Sequence, residues 1–115
     1  MTTFCTLFSG SSGNAAVLRT ERGSILIDCG MSGRQVLCAM QSVRLDPREL
    51  CAVLVTHEHS DHVRGVGILS RKLGLPVYAT EGTWQGMSAC VGELPAENRV
   101  VVTAGESFFL NELEI

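Results

Sequence analysis

The sequence lacks the features that mark membrane, secreted and disulfide-stabilised proteins. No apolar run approaches the roughly 20 residues that a membrane-spanning helix needs. The opening segment, MTTFCTLFSG, has neither a basic stretch nor a long apolar one, so we predict no secretory signal. The five cysteines are widely spaced without a Cys-x-x-Cys pair, which favours reduced thiols over a disulfide framework. We therefore expect a cytoplasmic protein with no membrane association.

Histidine is scarce and unevenly placed. The chain contains only three, and all lie within the segment VTHEHSDH together with an aspartate. Side chains two residues apart in extended backbone point the same way, so His57 and His59 can bind one metal ion. Asp61 and His62 follow where the chain turns into a helix, and both can reach a second ion. Imidazole and carboxylate are ligands that zinc and similar ions favour. The segment predicts two divalent metal ions, and an entirely structural role for all three histidines is strongly disfavoured.

An aspartate upstream supports this site. Asp28 ends the apolar strand SILID, and α/β sheets place their functional sites at the carboxyl ends of strands. We predict that its carboxylate orients a ligand histidine or a loop amide; a turn or cap carboxylate is the alternative. The adjacent thiol, Cys29, is expected to be prone to oxidation because it would lie near the metal ions.

Substrate contacts are predicted on two segments. The loop SGSSGN can form a backbone nest for a phosphate, which makes Ser11 and Asn14 candidate contacts, although a plain hairpin turn is the favoured alternative. Arg64, just past the histidines, can face a phosphate or be a solvated helix residue. The formal charge is +2 up to Thr80 and −5 from Glu81 onward, so the first part is better suited to an anionic substrate.

Strand and helix patterns alternate along the chain, which predicts α/β layers. Ser32 and Gln35 have the spacing of a capping box, and Val36, Leu37, Met40 and Val43 follow as the apolar stripe of a helix. The run CAVLVT is typical of a strand covered on both faces. Strands are predicted at 3–8, 14–20, 24–28, 51–56 and 76–80, helices at 62–74 and 83–94, and a strand, turn and strand over 98–115.

The motif THEHSDH, with ILIDCG upstream, resembles the metallo-beta-lactamase superfamily of metal-dependent hydrolases. LFSGSSGN and LVTHEHSDHVRGVGILSRKLGLPVYATEGTW are similar to its YycJ (WalJ) branch of exonuclease-like phosphodiesterases. The resemblance implies an αββα sandwich with zinc or manganese, in which His57 and His59 bind the first ion and Asp61 and His62 the second. It also implies an orienting role for Asp28. The activity that it implies is that of a 5′-to-3′ phosphodiesterase acting on nucleic acid, with DNA as the expected substrate.

The resemblance also implies ligands that this sequence does not contain. The superfamily completes its site with histidines and a bridging aspartate from its second half, yet no histidine follows His62. We expect residues 1–115 to be a partial domain, the N-terminal half of the fold, inactive by itself unless a homodimer completes the site. Two alternatives stay open: a thioester or other ester hydrolase of the same fold, and a non-catalytic metal-binding half-domain.

Overall fold

A six-stranded mixed sheet and four α-helices form the part of the chain that the computed structural model describes, residues 3–10, 13–56, 60–103, 109–110 and 113–114. The strands, in chain order and in sheet order, are β1 Thr3–Phe8, β2 Ala15–Thr20, β3 Gly23–Cys29, β4 Leu50–Leu54, β5 Val77–Thr80 and β6 Arg99–Val102. The helices are α1 Gly33–Ser42, α2 Ser60–Val63, α3 Val66–Leu73 and α4 Glu81–Val91. A separate antiparallel pair consists of β7 Phe109–Leu110 and β8 Leu113–Glu114.

The direction of the strands changes once across the large sheet. β1, β2 and β3 pair antiparallel, whereas β3, β4, β5 and β6 pair parallel. Each connection between two parallel strands contains at least one α-helix: α1 precedes β4, α2 and α3 precede β5, and α4 precedes β6. This arrangement confirms the predicted α/β class. It also places the carboxyl ends of β3 and β4 side by side at one edge of the sheet.

Both faces of the central strands are buried. Consecutive residues of a strand point to opposite faces, and Ile25 and Leu26 in β3, like Ala52 and Val53 in β4, are all fully buried. The prediction that CAVLVT is covered on both faces is therefore confirmed. Full burial of such side chains contributes about 1.5–3 kcal/mol each for the larger ones, which makes β3 and β4 rigid supports for whatever follows them. No helix in the described ranges is both long and apolar enough to cross a membrane.

Helix α1 begins where the capping box predicts. The Ser32 hydroxyl oxygen accepts the backbone N–H of Gln35 at 3.2 Å, and the Gln35 side chain accepts the backbone N–H of Ser32 at 3.2 Å. Val36 and Met40 of the predicted stripe are fully buried, but Val43 is 47% exposed. The assignment of Val43 to the buried stripe is wrong, because the helix ends at Ser42 and Arg44, with φ of 63°, turns the chain away.

The helix predicted over 62–74 is divided into α2 and α3. The break falls at Gly65, whose backbone N–H donates to the carbonyl oxygen of Cys29 at 2.8 Å instead of continuing a helical ladder. A Cβ on Gly65 would collide with the Met31 carbonyl oxygen and would lie 2.7 Å from the Cys29 sulfur. Close contact with the loop after β3 therefore interrupts the helix. The local sequence pattern does not predict this contact.

Close contact between α3 and α4 generates a stability prediction. Gly67 faces the end of α4, where a Cβ would overlap the Val91 carbonyl oxygen and lie 2.9 Å from its carbonyl carbon. Arg71, one turn further, donates to the same carbonyl oxygen at 2.7 Å. We expect Gly67→Ala to lower the free energy of unfolding by about 1–3 kcal/mol because the helices must separate, although alanine is the better helix former.

The matched control is Gly82→Ala in α4, where a Cβ would meet no heavy atom within 4 Å. This variant should raise the free energy of unfolding by up to about 1 kcal/mol. Urea denaturation followed by circular dichroism measures both. Equal effects of the two substitutions would contradict the packing argument.

Candidate metal centre

Two strand ends bring the central residues of the site together. Asp28 is the penultimate residue of β3, and Thr56 lies two residues beyond β4, which runs parallel to β3 with Ile27 beside Leu54. The backbone of Asp28 has φ of 60°, in the left-handed region that aspartate tolerates better than most residues. This turn of the chain keeps the Asp28 side chain at the sheet edge, where the residue is only 5% exposed.

Three hydrogen bonds hold the Asp28 carboxylate. The backbone N–H of Thr56 donates to Oδ1 at 2.7 Å, and the Thr56 hydroxyl donates to Oδ2 at 2.6 Å. The Nδ1 atom of His62 lies 2.7 Å from the same Oδ2. The orienting role predicted for Asp28 thus has a structural basis, since its carboxylate contacts both a predicted ligand histidine and a loop amide.

The hydrogen-bond pattern specifies the form of the His62 ring. Asp28 receives two donors from Thr56, and a carboxylate can accept all three contacts. The proton between Asp28 and His62 then belongs to Nδ1 of the imidazole, and a neutral imidazole protonated on Nδ1 is a form in which histidine can bind metal ions. The His62 side chain is 19% exposed, so it is neither fully buried nor freely solvated. A partly exposed imidazole held by a carboxylate in this way fits a role as one ligand of a divalent metal ion.

The other predicted ligands are placed only in part. His57 and His59 lie outside the described residues, and Asp61 belongs to the short helix α2 beside His62. In the ranges that the structure describes, no group of three or more histidine, cysteine, aspartate or glutamate side chains is arranged so that it could hold a metal ion. The assignment of all four metal ligands therefore stays a prediction; what the structure shows is the contact between Asp28 and His62.

Gly13 and Asn14, at the end of the SGSSGN loop, lie against the turn that follows β3. The backbone N–H of Gly30 donates to the Asn14 carbonyl oxygen at 2.9 Å, and a Cβ on Gly13 would collide with the Met31 side chain. The Asn14 amide closes the loop, because its oxygen accepts the N–H of Gly10 at 3.2 Å and its nitrogen donates to the Gly10 carbonyl at 2.9 Å. Ser11 lies outside the described residues. Contact of either side chain with substrate stays a prediction.

Arg64 lies in the turn between α2 and α3 and is exposed. The next residue, Gly65, is fixed to the loop after β3 by its hydrogen bond to Cys29. Arg64, two residues beyond His62, therefore lies on an anchored turn, and its side chain is in solvent. Its predicted role as a phosphate contact agrees with this position and is not tested by it.

Thr56 is the residue of this site that the sequence analysis missed. It contributes two of the three hydrogen bonds to Asp28. A signal was present, because Thr56 stands directly before His57, at the end of an apolar strand parallel to the one that ends at Asp28. Its partner could be known only once the strands were paired.

The expectation that Cys29 is prone to oxidation is contradicted. Cys29 is fully buried, and its sulfur lies 3.7 Å from the Met31 carbonyl oxygen. Burial raises the pKa of the Cys29 thiol to about 12, against the lowering effect of its contact with the Gly65 backbone and with a further increase from the Asp28 charge. Because the thiolate is the reactive form, such a thiol is inert at neutral pH.

The two environments of Cys29 and Cys38 predict different rates of alkylation. Cys38, in α1, is exposed. With iodoacetamide at pH 8 we expect rapid labelling of Cys38 and almost none of Cys29, and equal labelling of both after denaturation. Peptide mass spectrometry measures both rates in one sample. Comparable rates in the native protein would mean that Cys29 is accessible.

Comparison with curated proteins gives relatives over almost the full chain. An exodeoxyribonuclease YycJ of Bacillus anthracis is 37% identical over 112 residues, covering 97% of this chain and 42% of the relative. An exodeoxyribonuclease WalJ of Streptococcus pneumoniae is 39% identical over 111 residues, covering 95% and 41%. The chain therefore spans about two fifths of the length of these relatives.

Solved structures and a family model agree on the fold. A subclass B3 metallo-beta-lactamase with an active-site glutamic acid matches with a TM-score of 0.69 and 26% identity, covering 88% of this chain and 44% of that one. The metallo-beta-lactamase SMB-1, in complex with mercaptoacetic acid, matches with a TM-score of 0.72 and 21% identity, covering 98% and 48%. The family model described as "Metallo-beta-lactamase superfamily" matches residues 9–113. The described fold corresponds to about half of these structures, and the chain belongs to the metallo-beta-lactamase superfamily.

Proposed function

We propose that this chain contributes half of the metal centre of a DNA exonuclease of the phosphodiesterase type. The observation that carries the proposal is the hydrogen bond from His62 Nδ1 to Asp28, a geometry in which the other ring nitrogen would be the metal ligand. Residues 1–115 would form the first part of a metallo-beta-lactamase domain in the cytoplasm. Further residues of the natural polypeptide, or a second copy of the chain in a homodimer, would complete the site.

The residues of the HEHSDH segment would hold two divalent ions, zinc or manganese. His57 and His59 would bind the first, and Asp61 and His62 the second. Such ions, when bound, supply Lewis-acid stabilisation of a phosphoryl group and a nucleophilic water at neutral pH. Asp28 keeps the His62 ring in one orientation and one tautomer, as carboxylate partners of ligand histidines do.

The predicted substrate is a phosphodiester of DNA. The exodeoxyribonucleases YycJ and WalJ match nearly the full chain, and a ribonuclease of Thermus thermophilus is 39% identical over 74 residues. Arg64 is exposed on an anchored turn next to the site, where a guanidinium can bind a phosphate oxygen. Ser11 and Asn14, from the loop whose ends the Asn14 amide joins, would supply further substrate contacts.

Two other functions have some support. A hydroxyacylglutathione hydrolase of Bdellovibrio bacteriovorus is 40% identical over 58 residues, which favours a thioester hydrolase of the same fold, although this match covers only half of the chain. A non-catalytic metal-binding half-domain is the other candidate, in which the residues of the HEHSDH segment would hold a metal ion without turnover. The exonuclease is preferred because its relatives match 95–97% of the chain.

Nuclease assays on the 115-residue chain, and on the complete product of its reading frame, distinguish these functions. Each protein is loaded with Zn²⁺ or Mn²⁺ and given single-stranded DNA labelled at either end, and separately a hydroxyacylglutathione thioester. Stepwise release of nucleotides from the 5′ end supports the proposal. Thioester hydrolysis without DNA cleavage supports the second candidate. Metal binding by both proteins without any turnover would overturn the enzymatic assignments.

The role of Asp28 predicts a selective loss of metal affinity. Asparagine tolerates the left-handed backbone of position 28, but its single carbonyl oxygen cannot accept all the donors that Asp28 accepts. We expect Asp28→Asn to weaken Zn²⁺ binding by about 10–100-fold. Chelator competition measures this affinity.

The matched control is Asp46→Asn, which changes a surface carboxylate outside the site. Asp46 caps the turn Pro47–Glu49 by accepting the N–H of Arg48 at 2.9 Å, and asparagine caps equally well. Its metal affinity should equal that of the wild type. An unchanged affinity in Asp28→Asn would show that Asp28 does not support the metal ligands.

A further inference from the structure

Met31, in the loop between β3 and α1, contacts both of the segments that are predicted to bind substrate. Its side chain lies against Gly13, where a Cβ would collide with the Met31 sulfur and lie 2.8 Å from its Cγ. Its carbonyl oxygen lies against Gly65, where a Cβ would collide with that oxygen. These two glycines are the direct neighbours of Asn14 and Arg64. Met31 therefore contacts the residue next to each candidate phosphate contact.

We propose that Met31 is a positioning residue that sets the separation between the Gly13–Asn14 backbone and the turn that carries Arg64. This inference rests on the proposed function, because it takes these two segments as contacts of a phosphodiester. It concerns the affinity for the substrate and not the binding of metal ions. Met31 acts through the backbone of its neighbours.

The chain holds Met31 on both sides. Cys29, two residues before it, is fully buried, and its carbonyl oxygen accepts the N–H of Gly65 at 2.8 Å. Ser32, the next residue, begins α1 through the capping box. The Met31 side chain is partly buried and packs against the hydrophobic core. A residue that sets a distance must itself be immobile, and these contacts satisfy that condition.

The two contacts of Met31 depend on different atoms. The contact with Gly65 is made by the backbone carbonyl, which every residue has, whereas the contact with Gly13 is made by the side chain. Truncation of Met31 therefore releases Gly13 and leaves the turn at Gly65 in place. The hydrogen bond from the Gly30 N–H to the Asn14 carbonyl oxygen, at 2.9 Å, joins the same two segments, so its stability reports the release.

The kinetic test compares Met31→Ala, which removes the spacer, with Met31→Leu, which keeps a similar volume. Both are made in the complete product of the reading frame and loaded with Zn²⁺, and KM and kcat are measured on single-stranded DNA. We expect Met31→Ala to raise KM about 10-fold, the loss of one hydrogen bond to a charged phosphate. Values of kcat and of Zn²⁺ affinity should stay close to wild type, because only substrate binding is weakened. Met31→Leu should restore most of the loss.

Met40→Ala is the matched control, because it makes the same chemical change at a fully buried position of α1. It should lower the free energy of unfolding and leave KM unchanged in the folded protein. If Met31→Ala does not fold by circular dichroism, Gly13→Ala replaces it. That variant perturbs the same contact from the other side and should raise KM in the same way.

Amide hydrogen exchange measures the release without any substrate. In Met31→Ala the Gly30 N–H should exchange about 10-fold faster than in wild type, and the Gly65 N–H should exchange at the wild-type rate. Unchanged exchange at Gly30 overturns the proposal. Equal acceleration at both amides also overturns it, because the whole loop would then have loosened. The same holds if Met31→Leu is as impaired as Met31→Ala.

These outcomes are separable from failure of the proposed function. If wild type cleaves no DNA while Gly30 alone exchanges faster in Met31→Ala, the nuclease assignment fails and the positioning role of Met31 stands. If wild type and Met31→Ala cleave DNA with the same KM, the nuclease assignment stands and the role of Met31 fails.

Discussion

The buried carboxylate of Asp28 is the constraint on which the rest of the site depends. An ionised group without partners in such a place would cost several kcal/mol, and Asp28 is 5% exposed. Its charge is accommodated because three donors converge on it, two from Thr56 and one from His62. None of these donors is adjacent to Asp28 in sequence. The folded chain must therefore bring the end of β3, the end of β4 and the start of α2 to one point.

The parallel pairing of β3 and β4 satisfies this requirement. Ile27 lies beside Leu54, so both strands end at the same level and the segments beyond them leave the sheet together. A shift of the register by one residue would turn each side chain to the other face, and Val53 would then have to fit where the smaller Ala52 packs. Because Ala52 and Val53 are both fully buried, the hydrophobic core fixes the register. Packing energy is thus used to set the geometry of a polar site.

Glycine contacts connect the surrounding loops to this point. Gly65 approaches the Met31 carbonyl and the Cys29 sulfur so closely that no side chain fits, and its N–H binds the Cys29 carbonyl. This contact divides the helix expected over 62–74 into two, and it places α2, with His62, over the end of β3. Helical periodicity could not reveal the division, since Val63, Val66 and Leu69 are all buried as they would be in one continuous helix. The same contact shields the Cys29 thiol, which adjacency to the motif alone had suggested would be reactive.

By itself, the sequence determined the α/β class, the capping box of Ser32 and Gln35, the burial of CAVLVT on both faces and the family. These features depend on local spacing, hydrophobic pattern and a dense motif, and all of them are readable over a few residues. The involvement of Asp28 could also be anticipated, because it ends an apolar strand. The tertiary structure alone decided that Thr56 and His62 share one carboxylate oxygen, that Val43 lies beyond the buried stripe, and that Gly65 interrupts a helix. The first and the third result from contacts between segments that are brought together only by strand pairing and chain reversal, and no local preference encodes such contacts. Val43 is exposed because the chain turns away at Arg44, a turn that hydrophobic periodicity does not reveal.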